Sequence, residues 1–381
     1  LAIFVNGLPV VTIELKNTLT GQKHHEAIKQ YITSRPIDGE KLLEFKRCLV
    51  HFAVGTEEVY MTTRLAGEKT RFFPFNKCYQ NKGVESRSGY RTSYLWEDVL
   101  RRDSLLDLLQ NYIEVQVNEE KVYNEKTGKL ETKTEEALIF PRFHQRRAVQ
   151  KLVAHSKQNG AGHRYLIQHS AGSGKSNTIS WLAFRLSSLY QKMYEGPDKA
   201  VFDSVIVVTD RRALDKQLGD NIAQFAQTEG EVVLINDNKT SQDLKKAIEG
   251  KKKIIVTTLQ KFPVIADSIQ LFPDRRYAVI IDEAHSSQSG EDARQMRKAL
   301  SLEEAERFDE AEEQEYDREE MLNAHIEAEI KRKGMKGNVS FYAFTATPKD
   351  KTIELFCERE HGTKEPFDLY TMEEAIKEGF I

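Results

Sequence analysis

The chain has 381 residues, of which 39% are hydrophobic and 30% charged, with a formal net charge of −3. This composition excludes a disordered chain, and no apolar run approaches the roughly 20 residues that span a bilayer. The length predicts two or three domains, and the near-neutral net charge leaves nucleic-acid binding open, because a sum can hide local basic surfaces. Three scattered cysteines, Cys48, Cys78 and Cys357, have neither metal spacing nor an even-numbered framework and read as thiols in a reducing compartment. The first residues lack a signal-peptide layout.

Leu1 to Val5, Asn6-Gly7 and Val10 to Leu15 predict a β-hairpin, since Asn-Gly is the strongest short turn signal. The second strand ends in Glu14-Leu15-Lys16, and positions i and i+2 of a strand share a face. A carboxylate able to hold a divalent metal beside a lysine able to stabilise phosphate charge is half of a metal-dependent nuclease site. By itself such a pair is most often a solvated salt bridge, and no acidic residue lies between Leu1 and Glu14. Ala27 to Tyr31 predicts a helix, and Leu49 to Val54 and Glu58 to Thr63 predict paired strands. Leu95, Val99, Leu100, Leu106 and Leu109 have helical spacing and predict one amphipathic helix over 95–109. The charged stretch Asn118 to Glu136 predicts a linker or exposed hairpin.

A second pattern starts at Leu138, with a helix over Arg146 to Ser156. Apolar strands at Tyr165–Ile167, Ser204–Thr209, Val232–Ile235, Lys253–Thr258, Tyr277–Ile281 and Phe341–Phe344 then alternate with helices. That alternation predicts a parallel sheet covered on both faces, whose ligands bind at the carboxyl ends of the strands. The polar clusters of this half fall at those ends. Between Ser301 and Lys333 an acidic stretch running to Lys331-Arg332-Lys333 predicts a solvated helical insertion.

The sharpest cluster is Ala171-Gly172-Ser173-Gly174-Lys175-Ser176, a glycine turn between a strand and a helix. Backbone N–H groups and a helix N-terminus would cradle phosphates, Lys175 would reach the outer phosphates, and the Ser176 hydroxyl could ligate Mg²⁺. His169 stands where the strict phosphate-loop pattern has glycine. Asp282-Glu283 follows an apolar strand; Asp282 would hold the Mg²⁺ shared with Ser176, and Glu283 would position or deprotonate the attacking water. Thr345 and Thr347, on the next strand end, could link nucleotide state to a neighbouring domain, and Gln145 suits an adenine edge. Arg211, Arg212, Thr257 and Thr258 offer cations and hydroxyls to a nucleic-acid backbone.

Gln145, Ala171–Ser176, Asp282-Glu283-Ala284-His285 and Thr345-Ala346-Thr347, in that order, resemble the first motor domain of superfamily 2 helicases and translocases. Phe4-Val5-Asn6-Gly7-Leu8-Pro9, Tyr60-Met61-Thr62-Thr63-Arg64-Leu65-Ala66-Gly67, Tyr90-Arg91-Thr92-Ser93-Tyr94-Leu95-Trp96 and Gln168-His169-Ser170 resemble the motor-and-nuclease subunit of type I restriction–modification enzymes, over essentially the whole chain. The resemblance implies a PD-(D/E)xK-like mixed α/β nuclease domain over 1–135, with Glu14 and Lys16 catalytic and Glu14 a metal ligand. It implies a RecA-like parallel-sheet P-loop ATPase domain over 136–365 with an insertion at 301–333, and a connection over 366–381 towards a second motor domain.

The family's nuclease aspartate would fall immediately before Leu1, and the chain is expected to be a piece of a longer protein, weak as an ATPase by itself. Where such nucleases often have Gln-x-x-x-Tyr, Ala27 stands four before Tyr31 and Gln30 adjoins it. The implied cofactors are ATP and Mg²⁺. The implied partners are double-stranded DNA and the modification (methyltransferase) and specificity subunits, in a bacterial or archaeal cytoplasm with no membrane. A stand-alone superfamily 2 helicase or remodeller with a DNA-binding N-terminal domain is the alternative; a nucleotide-switched scaffold that never translocates is the non-enzymatic one.

Overall fold

The computed structural model describes residues 1–35, 39–84, 89–124, 129–192, 196–209, 212–225, 230–235, 239–258, 261–282, 337–357 and 365–381. The expected acidic insertion at 301–333 and Glu283 lie outside them. The chain forms two compact units, Leu1–Arg147 with Glu373–Ile381, and Ala148–Met372. No helix of the described residues is long and apolar enough to cross a membrane.

The first unit is built on a mixed five-stranded sheet in the order β1-β2-β3-β4-β5. Its strands are β1 (Ala2–Val5), β2 (Leu8–Leu15), β3 (Val50–Val54), β4 (Val59–Thr62) and β5 (Phe73–Pro74), with α1 (His24–Lys29) between β2 and β3. Asn6 and Gly7 both adopt positive φ, 49° and 80°, which gives the primed turn whose twist matches the strands it joins. β2 and β3 run parallel because α1 carries the chain back across the sheet. The core includes Val11, Ile13, Phe52 and Phe75, all buried.

The helix expected over 95–109 is interrupted. A single wide turn covers Leu95–Val99, Arg101 is extended (φ −57°, ψ 146°), and α2 starts afresh at Arg102–Asn111. The cause is Arg146, 2% exposed, whose guanidinium donates to both carboxylate oxygens of Asp98 (3.1 and 3.2 Å) and to Ser104 Oγ (2.6 Å). Six residues apart in an unbroken helix, Asp98 and Ser104 would point about 120° away from each other; the break brings both onto one guanidinium. It also turns Leu105 and Leu108 inward, while Leu106 of the expected stripe is 42% exposed. Of the two readings for the charged stretch, the hairpin is present, as β6 (Glu114–Asn124) paired antiparallel with β7 (Lys129–Ile139).

Burial holds His24 and His51 in their neutral forms, with both side chains lowered from 6.5 to about 4. A histidine depressed in the folded state stabilises the fold above its unfolded value and withdraws that stability as pH falls towards its folded value. The first unit is therefore expected to lose stability between about pH 6.5 and pH 4, by on the order of 2–3 kcal/mol from His51 alone. Urea melts at pH 7 and pH 4.5 measure this. A His51→Gln variant should show a shallower acid slope, and an unchanged slope would refute the assignment.

The second unit is a seven-stranded, wholly parallel sheet. In chain order its main elements are α3 (Phe143–Asn159, which spans the division between the units), β8 (Arg164–His169) and α4 (Lys175–Ser187). A small ribbon, β9 (Tyr190–Gln191) and β10 (Lys199–Ala200), precedes β11 (Ser204–Thr209), α5 (Arg212–Phe225), β12 (Val232–Ile235), α6 (Ser241–Glu249) and β13 (Ile254–Thr258). α7 (Phe262–Leu271), β14 (Tyr277–Ile281), β15 (Val339–Thr345), α8 (Asp350–Phe356) and β16 (Asp368–Tyr370) complete it, and α9 (Met372–Lys377) begins at the second division. The sheet order is β12-β13-β11-β14-β15-β8-β16. Every residue of β11, β13 and β14 is buried, as strands covered on both faces require. Within 366–381, Asp368–Tyr370 forms β16, the seventh strand.

Candidate functional site

Those predicted residues of the second unit that the structure describes lie at the carboxyl edge of the parallel sheet. β8 ends at His169, and the chain turns through Gly172 (φ 69°) and Gly174 (φ 80°, ψ 36°) into α4. Both glycines occupy the left-handed region, which side chains with a Cβ rarely adopt. Gly174 is the N-cap of α4 and supplies no side-chain oxygen, so the first-turn amides and the positive end of a 13-residue helix face the turn. Lys175 and Ser176 are the first two helical residues, each part-buried, and Ser173 is fully buried beneath them. Gly172, Ser173, Gly174, Lys175 and Ser176 thus form one tight strand-to-helix turn at the carboxyl end of β8.

Asp282 directly follows β14, with its amide donating to the Val208 carbonyl of β11 (2.9 Å). β15 lies between β14 and β8, so its terminal Thr345, buried at 0% exposure, stands between the Asp282 strand and the cradle strand, and Thr347 lies exposed just beyond. Thr257 and Thr258 end β13 and are buried (2% and 5%), Arg212 opens α5, and Arg211 lies outside the described residues. Ser170 Oγ, Thr209 Oγ1 and Thr257 Oγ1 are buried with no hydrogen-bond partner among the described residues. Buried hydroxyls left unsatisfied cost about 1–3 kcal/mol each. A hydroxyl at Ser176 and a carboxylate at Asp282 are hard oxygen donors of the kind that magnesium takes beside phosphates, so the residues fit a magnesium–nucleotide. Gln145 lies in the first unit, where its Oε1 accepts the Arg142 amide (2.8 Å) at the start of α3.

Sequence reasoning missed the groups that hold the cradle strand. His169 is fully buried, and its Nε2 lies 2.9 Å from Asp368 Oδ1 on β16; Lys151 Nζ of α3 lies 3.3 Å from Asp368 Oδ2. A three-residue strand gives too little alternation to be read from sequence.

In the first unit, Glu14 and Lys16 share one face at the end of β2, both part-buried, with exposed Leu15 between them. Arg35 grips Glu14 Oε1 through Nε (2.8 Å) and a terminal nitrogen (2.7 Å). Thr12, on that same face, bonds the Tyr31 hydroxyl (2.8 Å) and His51 Nδ1 (2.6 Å). Burial raises the Tyr31 phenol well above its usual range, so it stays protonated. Among the described residues no group of three or more His, Cys, Asp or Glu side chains is arranged to hold a metal.

A wholly parallel sheet with a glycine cradle after one strand, an aspartate two strands away and an intervening strand ending in threonine is the architecture of a RecA-like P-loop ATPase. Residues 144–381 match the model of the SWI2/SNF2 ATPase family, and the chain belongs to that family. Residues 1–70 match the N-terminal region of type I restriction enzyme R proteins.

The MjaVIIIP protein of Methanocaldococcus jannaschii, named as a type I restriction enzyme endonuclease subunit, is 25% identical over 402 residues, covering 99% of this chain and 33% of that protein. The SsaAORF53P endonuclease subunit of Staphylococcus saprophyticus is 26% identical, covering 76% of this chain and 27% of its own length. The chain thus spans about a third or less of the curated relatives it matches. A solved fragment of a type I restriction enzyme HsdR subunit from Vibrio vulnificus aligns with 97% of this chain and 49% of its own at 15% identity and a TM-score of 0.33.

Proposed function

We propose that this chain is the nuclease-and-motor portion of the endonuclease subunit of a type I restriction enzyme. It would pump double-stranded DNA with ATP and Mg²⁺ and cut unmodified foreign DNA after translocation, as a type I site-specific deoxyribonuclease. The observation that carries this is the pairing, on one chain and in this order, of an R-protein N-terminal match over 1–70 with an SWI2/SNF2 ATPase match over 144–381. A stand-alone remodeller would need only the second.

In this reading residues 1–135 form a PD-(D/E)xK-like nuclease domain, with Glu14 and Lys16 at its chemistry, and 136–365 form the first motor domain. The cradle amides and Lys175 bind and orient the ATP phosphates, Gln145 meets the adenine, and Ser176 and Asp282 hold the magnesium, which neutralises phosphate charge when bound. Glu283 positions the attacking water. Arg211 and Arg212 are assigned to the DNA backbone together with Thr257 and Thr258, which are buried at the end of β13, and Thr345 and Thr347 pass nucleotide state onward. Modification and specificity subunits supply methylation and target choice, in a bacterial or archaeal cytoplasm.

The test is a plasmid assay with the full-length protein and its companion subunits. Cutting that requires ATP and spares methylated DNA is expected. DNA-stimulated ATP hydrolysis with no cutting under any of these conditions would replace this reading with the remodeller.

A further inference from the structure

We propose that His169 and Asp368, supported by Lys151, are positioning residues of the phosphate cradle, tying its entry to the edge strand β16. The inference rests on the assignment of Ala171–Ser176 as the nucleotide site.

The backbone already shows where the strain of ligand binding would go. β16 pairs with β8 over Ile167 to His169, and the ladder runs one residue past the strand, with the Ser170 amide donating to the Tyr370 carbonyl (3.0 Å). β16 therefore reaches the first residue of the turn, two residues before Gly172. At that point the structure places a carboxylate whose side chain has no solvent exposure, Asp368, with His169 and Lys151 set against it. His169 Nε2 donates to Oδ1 at 2.9 Å, and the Lys151 ammonium lies 3.3 Å from Oδ2. One carboxylate thus joins α3, β8 and β16. Phe344 of β15 and Tyr370 of β16 stand edge-on to the imidazole at 6.5 and 6.2 Å and close the pocket around it.

A buried ionic cluster is a poor way to gain stability, because desolvation offsets most of the attraction, and well-packed apolar residues do as well or better. What it does supply is direction. An imidazole whose Nε2 is held by a carboxylate has one orientation, and His169 is the last residue of β8 before the cradle turn. A shift of about 1 Å in groups that orient a reacting phosphate can cost about 100-fold in rate. β16 is also the last strand before the chain leaves the second unit at Met372. Occupancy of the cradle should therefore be felt in residues 365–372.

The discriminating pair is His169→Gln and His169→Asn. Glutamine carries its amide nitrogen near the Nε2 position and can still donate to Asp368; asparagine reaches only the Nδ1 position. Asparagine also leaves the larger cavity, so His169→Leu, which keeps the volume without a donor, is measured beside them. It should weaken binding as asparagine does, and parental affinity in it would assign the effect to packing. Binding of the fluorescent ATP analogue mant-ATP to the intact chain is expected to stay within about threefold of the parent for His169→Gln and to weaken about tenfold or more for His169→Asn. In the parent, and in His169→Gln, ATP should slow amide exchange over 365–372, and in His169→Asn it should not. Equal affinities for the two variants, whether both parental or both weakened, would overturn the proposal.

If neither variant folds, Lys151→Met decides. Lys151 is half-exposed on α3 and the change keeps its apolar stem, so an unchanged affinity for the analogue would refute the proposal and a loss of threefold or more would support it. Lys175→Ala separates the two readings. If it binds the analogue as the parent does, the cradle assignment itself is wrong; if it does not bind while the Gln and Asn variants match, only the positioning role fails.

Discussion

Lys175→Ala in the full-length protein is expected to lower ATP turnover by about 100- to 1,000-fold, read as phosphate release at saturating duplex DNA. The side chain is the one cation in the sequence Ala171–Ser176, and it stands at the first position of α4, where the positive end of the helix favours an anion. Amides alone would still hold phosphates. They do not follow charge as it moves to the outer phosphate, and that is the part of the barrier an aimed ammonium lowers. The loss should therefore fall mainly on kcat. Alanine is a better helix former than lysine, so the melting temperature should not drop. Turnover within threefold of the parent would remove Lys175 from the chemistry and leave Ala171–Ser176 as a structural turn.

Glu14→Ala should abolish DNA cutting while leaving ATP turnover intact. The substitution removes an ion pair with Arg35, whose side chain is 46% exposed, and such pairs contribute no more than about 1 kcal/mol to stability. A fall in cutting of about 1,000-fold or more corresponds to over 4 kcal/mol at the transition state, which unfolding on that scale cannot produce. A cleavage assay run beside phosphate release on the same preparation gives both numbers. If Glu14→Ala still cuts, the carboxylate is only Arg35's partner, and the nuclease reading of the first unit fails. Loss of both activities together would point instead to a folding defect.

Much of the architecture is legible in the sequence. Asn6-Gly7 announces the hairpin because few residues accept positive φ twice in succession, and the strands of the second unit announce themselves as unbroken apolar runs, since both faces are covered. The glycine turn with Lys175 and Ser176 is legible for the same local reason: the φ values of Gly172 and Gly174 leave little choice of residue. The course of 95–111 is not. Its spacing fits one helix, and only the buried guanidinium of Arg146, more than forty residues further on, reveals why the helix breaks at Arg101. Local periodicity carries no information about a partner that distant.

His169 shows the division most clearly. As a residue in a sequence it is a departure from a glycine pattern and a mark of resemblance; its physical role is invisible there. The sequence by itself determined that there is a parallel α/β unit with a glycine turn after one strand, because backbone conformation and apolar runs are written locally. Only the tertiary structure decided that His169, Asp368 and Lys151 meet. Residues 199 positions apart come together through strand pairing at the edge of a sheet, and that pairing depends on the whole sheet having formed.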